Sequence, residues 1–384
     1  MIGATVLALA ASFTAGMTSP PLSDAIQRVD PIEYRVQLKG SIGMRASAIA
    51  RTCPRTAEAP LHVPLPREGA YHRLDPSRLH ELLPALLTDG RPTSRTFEVV
   101  AAPGVGDYAK IAAYGCQCSK VEFTIDAYLT AYSAKVDDAA LAQCAWTEEW
   151  PTDVRAALGP QMYIESTNEQ VVRLMNQWTS GRAKSVTPYF LGKELARRVT
   201  QVYRPGEANV VYGRRHEITG INVNGAIAAM KSGRGSLHDL VCLLVCLYVA
   251  VCRAAGLPAR PVIGVDYGDY RRERGRNLDC ELISWAEFFV PDAGWVSVDF
   301  RSLYRAPGTM RNINDRWPGF ASDQNLNRRI PLAYHYHAPL IHLSTEPVEK
   351  PLLWTWHSYP EAVVIDQSLD IHIDRQPRTG SSGR

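Results

Sequence analysis

Met230 to Tyr267 reads MKSGRGSLHDLVCLLVCLYVAVCRAAGLPARPVIGVDY. Between Ser236 and Ala255 the apolar residues fall on nearly every face of a helix. A helix of that kind is buried at the centre of a domain rather than laid on its surface. Gly256 ends it, since glycine takes the left-handed cap at little cost, and Pro258 keeps it from restarting. ARPVIGVDY then reads as a strand, and so do LISWAEFFV and WVSVDF further on. Pro291-Asp292-Ala293-Gly294 is a turn between the last two, which makes them a hairpin. A buried helix followed by antiparallel strands predicts an α+β fold.

The pattern extends outward in both directions. Ser166 or Thr167 is placed to cap a helix running to about Trp178, with Glu169 and Gln170 in position for a capping box. Thr187-Pro188 opens a second helix, in which Leu191, Leu195, Val199 and Val202 form one apolar face. Upstream, FEVVAA (97–102) and VEFTIDAYLTAYSA (121–134) are rich in β-branched and aromatic residues and read as strands. A Pro- and Arg-rich stretch over 18–95 carries one predicted helix, Pro76 to Leu87, capped by Asp75. Downstream of Arg301 the chain is loop-rich to Ile330. PLAYHYHAPLIHLS and EAVVIDQSLDIHI then read as strands, and RTGSSGR as a disordered tail. The expected division is an apolar N-terminal arm or signal over 1–29, a mostly β region over 30–150, an α+β core over 151–305, and a C-terminal β extension over 306–384.

These segments of the core resemble the transglutaminase-like superfamily, a papain-like fold, in its bacterial form. Arg253-Ala254-Ala255-Gly256-Leu257-Pro258-Ala259-Arg260 matches the family's helix-end motif, with Leu257 where isoleucine is usual. Trp285 and Glu287 match the second motif, and Gly294, Trp295 and Asp299 the third. Gly233-Arg234-Gly235 matches the turn before the helix, with Asp239 in the acidic slot. The resemblance implies a nucleophilic Cys at the start of the buried helix, where the macrodipole favours thiolate. It also implies a His on the next strand and an Asp on the strand after, in a triad that transfers an acyl group through a thioester.

The chain departs from that pattern at the chemical positions. The nucleophile column holds Leu237 when aligned on Gly235 and Val241 when aligned on the Arg253–Arg260 motif. The His column holds Ile283, so Asp299 is the remnant of the triad. Cys242 and His238 are the nearest substitutes. Cys242, however, is one residue from the second alignment, about 100° around the helix. Cys280 precedes the Trp285 strand without a helix start. Trp285 and Trp295 are expected to line the cleft. His335 and His337 would share one strand face as a metal half-site, with His342 the near third candidate.

Composition excludes little. Lys plus Arg number 42 against 39 Asp plus Glu, a net charge of +3 that gives no case for nucleic acid. Val6 to Ala15 (VLALAASFTA) resembles a secretory h-region but follows no Lys or Arg, and it is too short to span a membrane. Cytoplasmic or assembly-associated placement is the expectation, with secretion through that run as the alternative. Cys242, Cys246 and Cys252 lie in one apolar stretch, where thiols act as small hydrophobes. Cys116 and Cys118 make no metal site by themselves. The expected function is a transglutaminase-like domain that has lost catalysis. It would serve as a structural or binding module, a subunit of a larger assembly, with a protein partner or its own copies and no cofactor. The alternatives are a cysteine peptidase, amidase or transglutaminase with a relocated nucleophile, and a metal-dependent hydrolase.

Overall fold

The computed structural model describes residues 24–44, 58–64, 66, 68–78, 85–88, 90–92, 97–102, 106–114, 120–161, 163–202, 204–205, 210–212, 218–221, 225–232, 234–235, 241–268, 280–334 and 364–376. The N-terminal region contributes β1 (Ile26–Met44), β2 (Glu58–Pro64), β3 (His72–Leu74), β4 (Ala85–Thr88), β5 (Arg91–Pro92), β6 (Phe97–Ala102), β7 (Gly106–Tyr114) and β8 (Lys120–Val136). Helices α1 (Asp138–Gln143), α2 (Thr152–Arg155), α3 (Glu169–Thr179) and α4 (Pro188–Val202) follow. After them come β9 (Arg204–Pro205), β10 (Val210–Tyr212), β11 (Ile218–Ile221), α5 (Ala226–Ser232), β12 (Arg234–Gly235) and the central helix α6 (Val241–Ala254). The chain continues with β13 (Ala259–Asp266), β14 (Glu281–Val290), β15 (Gly294–Val298), α7 (Phe300–Arg305), β16 (Arg329–Ala333) and β17 (Val364–Arg375).

The long strands β1 and β8 pair antiparallel, and β17 returns to pair with the other edge of β1. Alternation fixes their faces. Tyr34, Val36 and Leu38 are buried with Ile125, Ala127 and Leu129, while Arg35 and Asp126 meet on the opposite face at 2.9 Å. The expected helix from Pro76 to Leu87 is overturned at its C-terminal end: Ala85–Thr88 is strand β4, paired with Val121–Thr124 of β8. β8 offers an open edge there, and ladder pairing overrides the local helical signal. The cap of α3 also differs by one residue. Asn168, not Ser166 or Thr167, accepts from the Gln170 amide at 2.9 Å.

Helix α6 sits as its composition requires. Leu244 to Cys252 are all buried. They pack in one cluster with Ile263 and Val265 of β13, Leu282, Ala286 and Phe288 of β14, and Val296 and Val298 of β15. The Tyr248 ring meets Phe288 and Phe300 edge-on at 6.4 and 5.2 Å. Gly256, at φ +78°, ends the helix, with the Leu257 amide bonded back to the Cys252 carbonyl. The sheet runs β15-β14-β13-β16, all antiparallel, and the β14–β15 hairpin turns through Asp292 and Gly294, both at positive φ.

Because strands alternate, β14 has a second face. Ile283, Trp285 and Glu287 point away from α6, and Ile283 and Trp285 form their own small cluster with Val262 and Tyr334. Gly264 permits this packing: a Cβ there would come within 2.2 Å of the Ile330 carbonyl and 2.9 Å of the Trp285 ring. Gly264→Ala is therefore expected to destabilise the chain by about 2–3 kcal/mol, read as a lowered denaturant midpoint. An unchanged midpoint would mean that the β16 backbone at Ile330 and the Trp285 ring both shift aside at no cost.

Candidate functional site

Asp299 is the point from which the site is built. β15 ends at Val298, and Asp299 caps the next helix, its Oδ1 accepting from the Arg301 amide at 3.0 Å. The β14–β15 register pairs Ala286 with Val298, so Asp299 follows opposite Trp285. Ile283 lies two positions further along the same face. Asp299 is thus held at the end of the β14–β15 pair, beside the Trp285 face of β14.

Its partner is an arginine. Arg329 Nη2 lies 2.6 Å from Asp299 Oδ2, and Arg329 Nη1 lies 2.8 Å from Asp323 Oδ2. The Ser302 hydroxyl also donates to Asp299 Oδ2. Asp299, Arg329 and Asp323 are only 3%, 4% and 6% exposed. Burial opposes ionisation of Asp299. The Arg329 guanidinium, helped by the Ser302 and Arg301 hydrogen bonds, overrides it and holds the carboxyl below its ordinary range. Burial likewise works against the Arg329 charge, and Asp299, Asp323 and Asp266 together push its pKa up. Asp266 feels mainly burial, and its pKa rises despite Arg329, Arg328 and Arg301. Arg301 reaches Glu281 at 3.0 Å beside this group.

The two tryptophans expected to line a cleft are packed, at 1% exposure for Trp285 and 4% for Trp295. Arg260 is sandwiched between the Trp295 and Tyr334 rings, 4.0 and 4.1 Å from their centroids, and its Nη2 pairs with Glu287 at 2.6 Å. Tyr71, from the N-terminal region, donates from its hydroxyl to the Trp295 carbonyl at 2.7 Å. Val241 and Cys242 open α6, although their side chains lie outside the described positions. Leu237, His238, Asp239, His335, His337 and His342 fall outside the described residues altogether. Cys280 is half-buried, its sulfur 3.6 Å from the Ile371 carbonyl.

Further along α6, Cys246 and Cys252 are fully buried, and burial pushes the Cys252 thiol far up. Thiols so placed are poor nucleophiles. Among the described residues no three His, Cys, Asp or Glu side chains are grouped to hold a metal ion. Sequence reading missed Arg329, Asp323, Ser302 and Tyr71. An Arg at the head of an apolar strand is the only trace that Arg329 leaves in the sequence.

Residues 182–300 match the family model of the transglutaminase-like superfamily. The likeness to a transglutaminase-like core covers that segment. The solved structure of a candidate cysteine protease from Cytophaga hutchinsonii shares this overall fold, with a TM-score of 0.54 at 11% identity over 92% of this chain and 93% of that one. The periplasmic domain of TgpA from Pseudomonas aeruginosa also aligns, over 77% of this chain and all of that one (100%), at 14% identity and a TM-score of 0.31. No curated protein matches the sequence. Within this transglutaminase-like core, Asp299 is held in an ion network.

Removing one partner of a buried pair strands the other charge. Asp299→Ala is therefore expected to cost about 3–5 kcal/mol of stability, measured by chemical denaturation. A cost below about 1 kcal/mol, the range of exposed pairs, would mean the pair does not hold the fold.

Proposed function

We propose that this chain is a non-catalytic member of the transglutaminase-like fold. It works as a structural or binding module whose partner is a protein, either another chain or further copies of itself. The observation that carries this reading is the commitment of Asp299. In a working triad the carboxylate orients an imidazole. Here its oxygens are engaged by Arg329, Ser302 and the Arg301 amide. The position where the family pattern expects His is Ile283, packed with Val262, Trp285 and Tyr334. An aliphatic side chain accepts no proton, and neither Leu237 nor Val241 can attack a carbonyl. The buried thiols of Cys246 and Cys252 support the same reading.

The competing reading is a cysteine hydrolase or acyltransferase that uses Cys242 or Cys280 with His238. The two readings separate by thiol reactivity. On brief treatment of the native, reduced protein with iodoacetamide at mildly acidic pH, Cys242, Cys246, Cys252 and Cys280 are each expected to label no faster than a free cysteine. One rapidly labelled site at Cys242 or Cys280, slowed by His238→Ala, would overturn the non-catalytic reading.

A further inference from the structure

The segment from Gly69 to Leu74 crosses from the N-terminal sheet onto the core and fastens there at three points. Tyr71, fully buried, bonds to the Trp295 carbonyl. His72, 2% exposed, sets its Nε2 2.6 Å from the Arg329 carbonyl. Gly69 lies so close to Tyr334 that a Cβ would come within 2.2 Å of the Tyr334 hydroxyl. On the other side the segment belongs to the N-terminal sheet. His72 pairs with Ala131 of β8, and Arg28 of β1 donates to the Ala70 carbonyl at 2.7 Å. One short segment therefore ties the β region to the strand whose first residue, Arg329, holds Asp299.

We propose that Gly69–Leu74 is an acid-released latch, in which neutral His72 fastens the N-terminal β region to the core and protonated His72 lets that seam open.

A carbonyl accepts, so Nε2 carries the proton in the docked state and a neutral ring leaves Nδ1 bare. A second proton would place a full charge in a buried seam. The charged and titratable groups around it offer little compensation. Arg28 on β1 is the charged group that acts on the ring, and it opposes a second positive charge there. Of the described carboxyls, Glu68 has its own pKa raised by burial, and Asp299 and Asp323 are already engaged by the Arg329 guanidinium. Burial, with the Arg28 charge, brings His72 down to about 4 from 6.5, against the opposing effect of the Arg329 hydrogen bond.

The folded pKa lies below the unfolded one, so the docked state is favoured above about 6.5 and loses ground as pH falls toward about 4. Between about pH 7.5 and about pH 5 the open-to-docked ratio should rise roughly 30-fold.

Hydrogen exchange of the full chain, corrected for intrinsic rates, reads this directly. Peptides covering 69–74 and 329–334 are expected to lose protection over that range while α6 keeps its own. In His72→Gln, which retains a donor toward the Arg329 carbonyl and does not titrate, exchange at 69–74 should become insensitive to pH. In Tyr71→Phe the same peptides should open already at neutral pH and still respond to acid. The proposal is overturned if His72→Gln keeps the wild-type pH response, if wild-type protection at 69–74 is unchanged by acid, or if all peptides lose protection together. Should His72→Gln fail to fold, the wild-type and Tyr71→Phe profiles decide by whether acid opening stays confined to the two peptides.

Discussion

A single buried guanidinium organises the sheet face away from α6. Arg329 is 4% exposed, and a charge so placed is tolerated only when paired and hydrogen-bonded. It is paired twice, with Asp299 and with Asp323. Each carboxylate in turn fixes a piece of chain. Asp299 joins the end of β15 to the start of α7 by capping it. Asp323 caps the turn before Asn325, and its carbonyl bonds to the Ala134 amide of β8. The backbone of Arg329 also serves as acceptor for His72 and as ladder partner for Asp266 of β13. Core sheet, following helix and N-terminal region thus meet at one residue.

Packing on the two faces of the sheet is unequal in character. Toward α6 it is aliphatic and aromatic, and close approach is made with glycine: a Cβ at Gly192 would meet the Phe288 ring at 2.7 Å. On the other face, aromatic rings and charges alternate, as in the Trp295–Arg260–Tyr334 stack with Glu287 on its arginine. Stacking leaves the guanidinium edge free to pair while its face is desolvated. That face carries Ile283 and Asp299, where the resemblance leads one to expect the His and Asp of a triad, and Tyr71 reaches it from the N-terminal region. In the reading favoured above, a surface suited to catalysis has become a seam within the molecule.

Much of the core was legible because its signals are local. An all-round apolar run gave α6, Gly256 and Pro258 gave its end, and Pro291 to Gly294 gave the hairpin. Asp299 was singled out by its place after Gly294-Trp295, although its role was not, since its partner lies 30 residues away. His72 and Arg329 are 257 residues apart and share no motif. Ala85–Thr88 was misread because a strand recruited by the edge of β8 carries no signal of its own. Charge pairing and edge pairing are settled in three dimensions, and periodicity is blind to both.

The account rests on Asp299 and Arg329 acting as one structural unit. A double-mutant cycle of Asp299→Ala and Arg329→Met, followed by chemical denaturation, tests it most directly. The account predicts a double variant less destabilised than the sum of the two single variants, by about 1–3 kcal/mol. Additive costs would contradict it, since each residue would then stabilise the fold independently of the other.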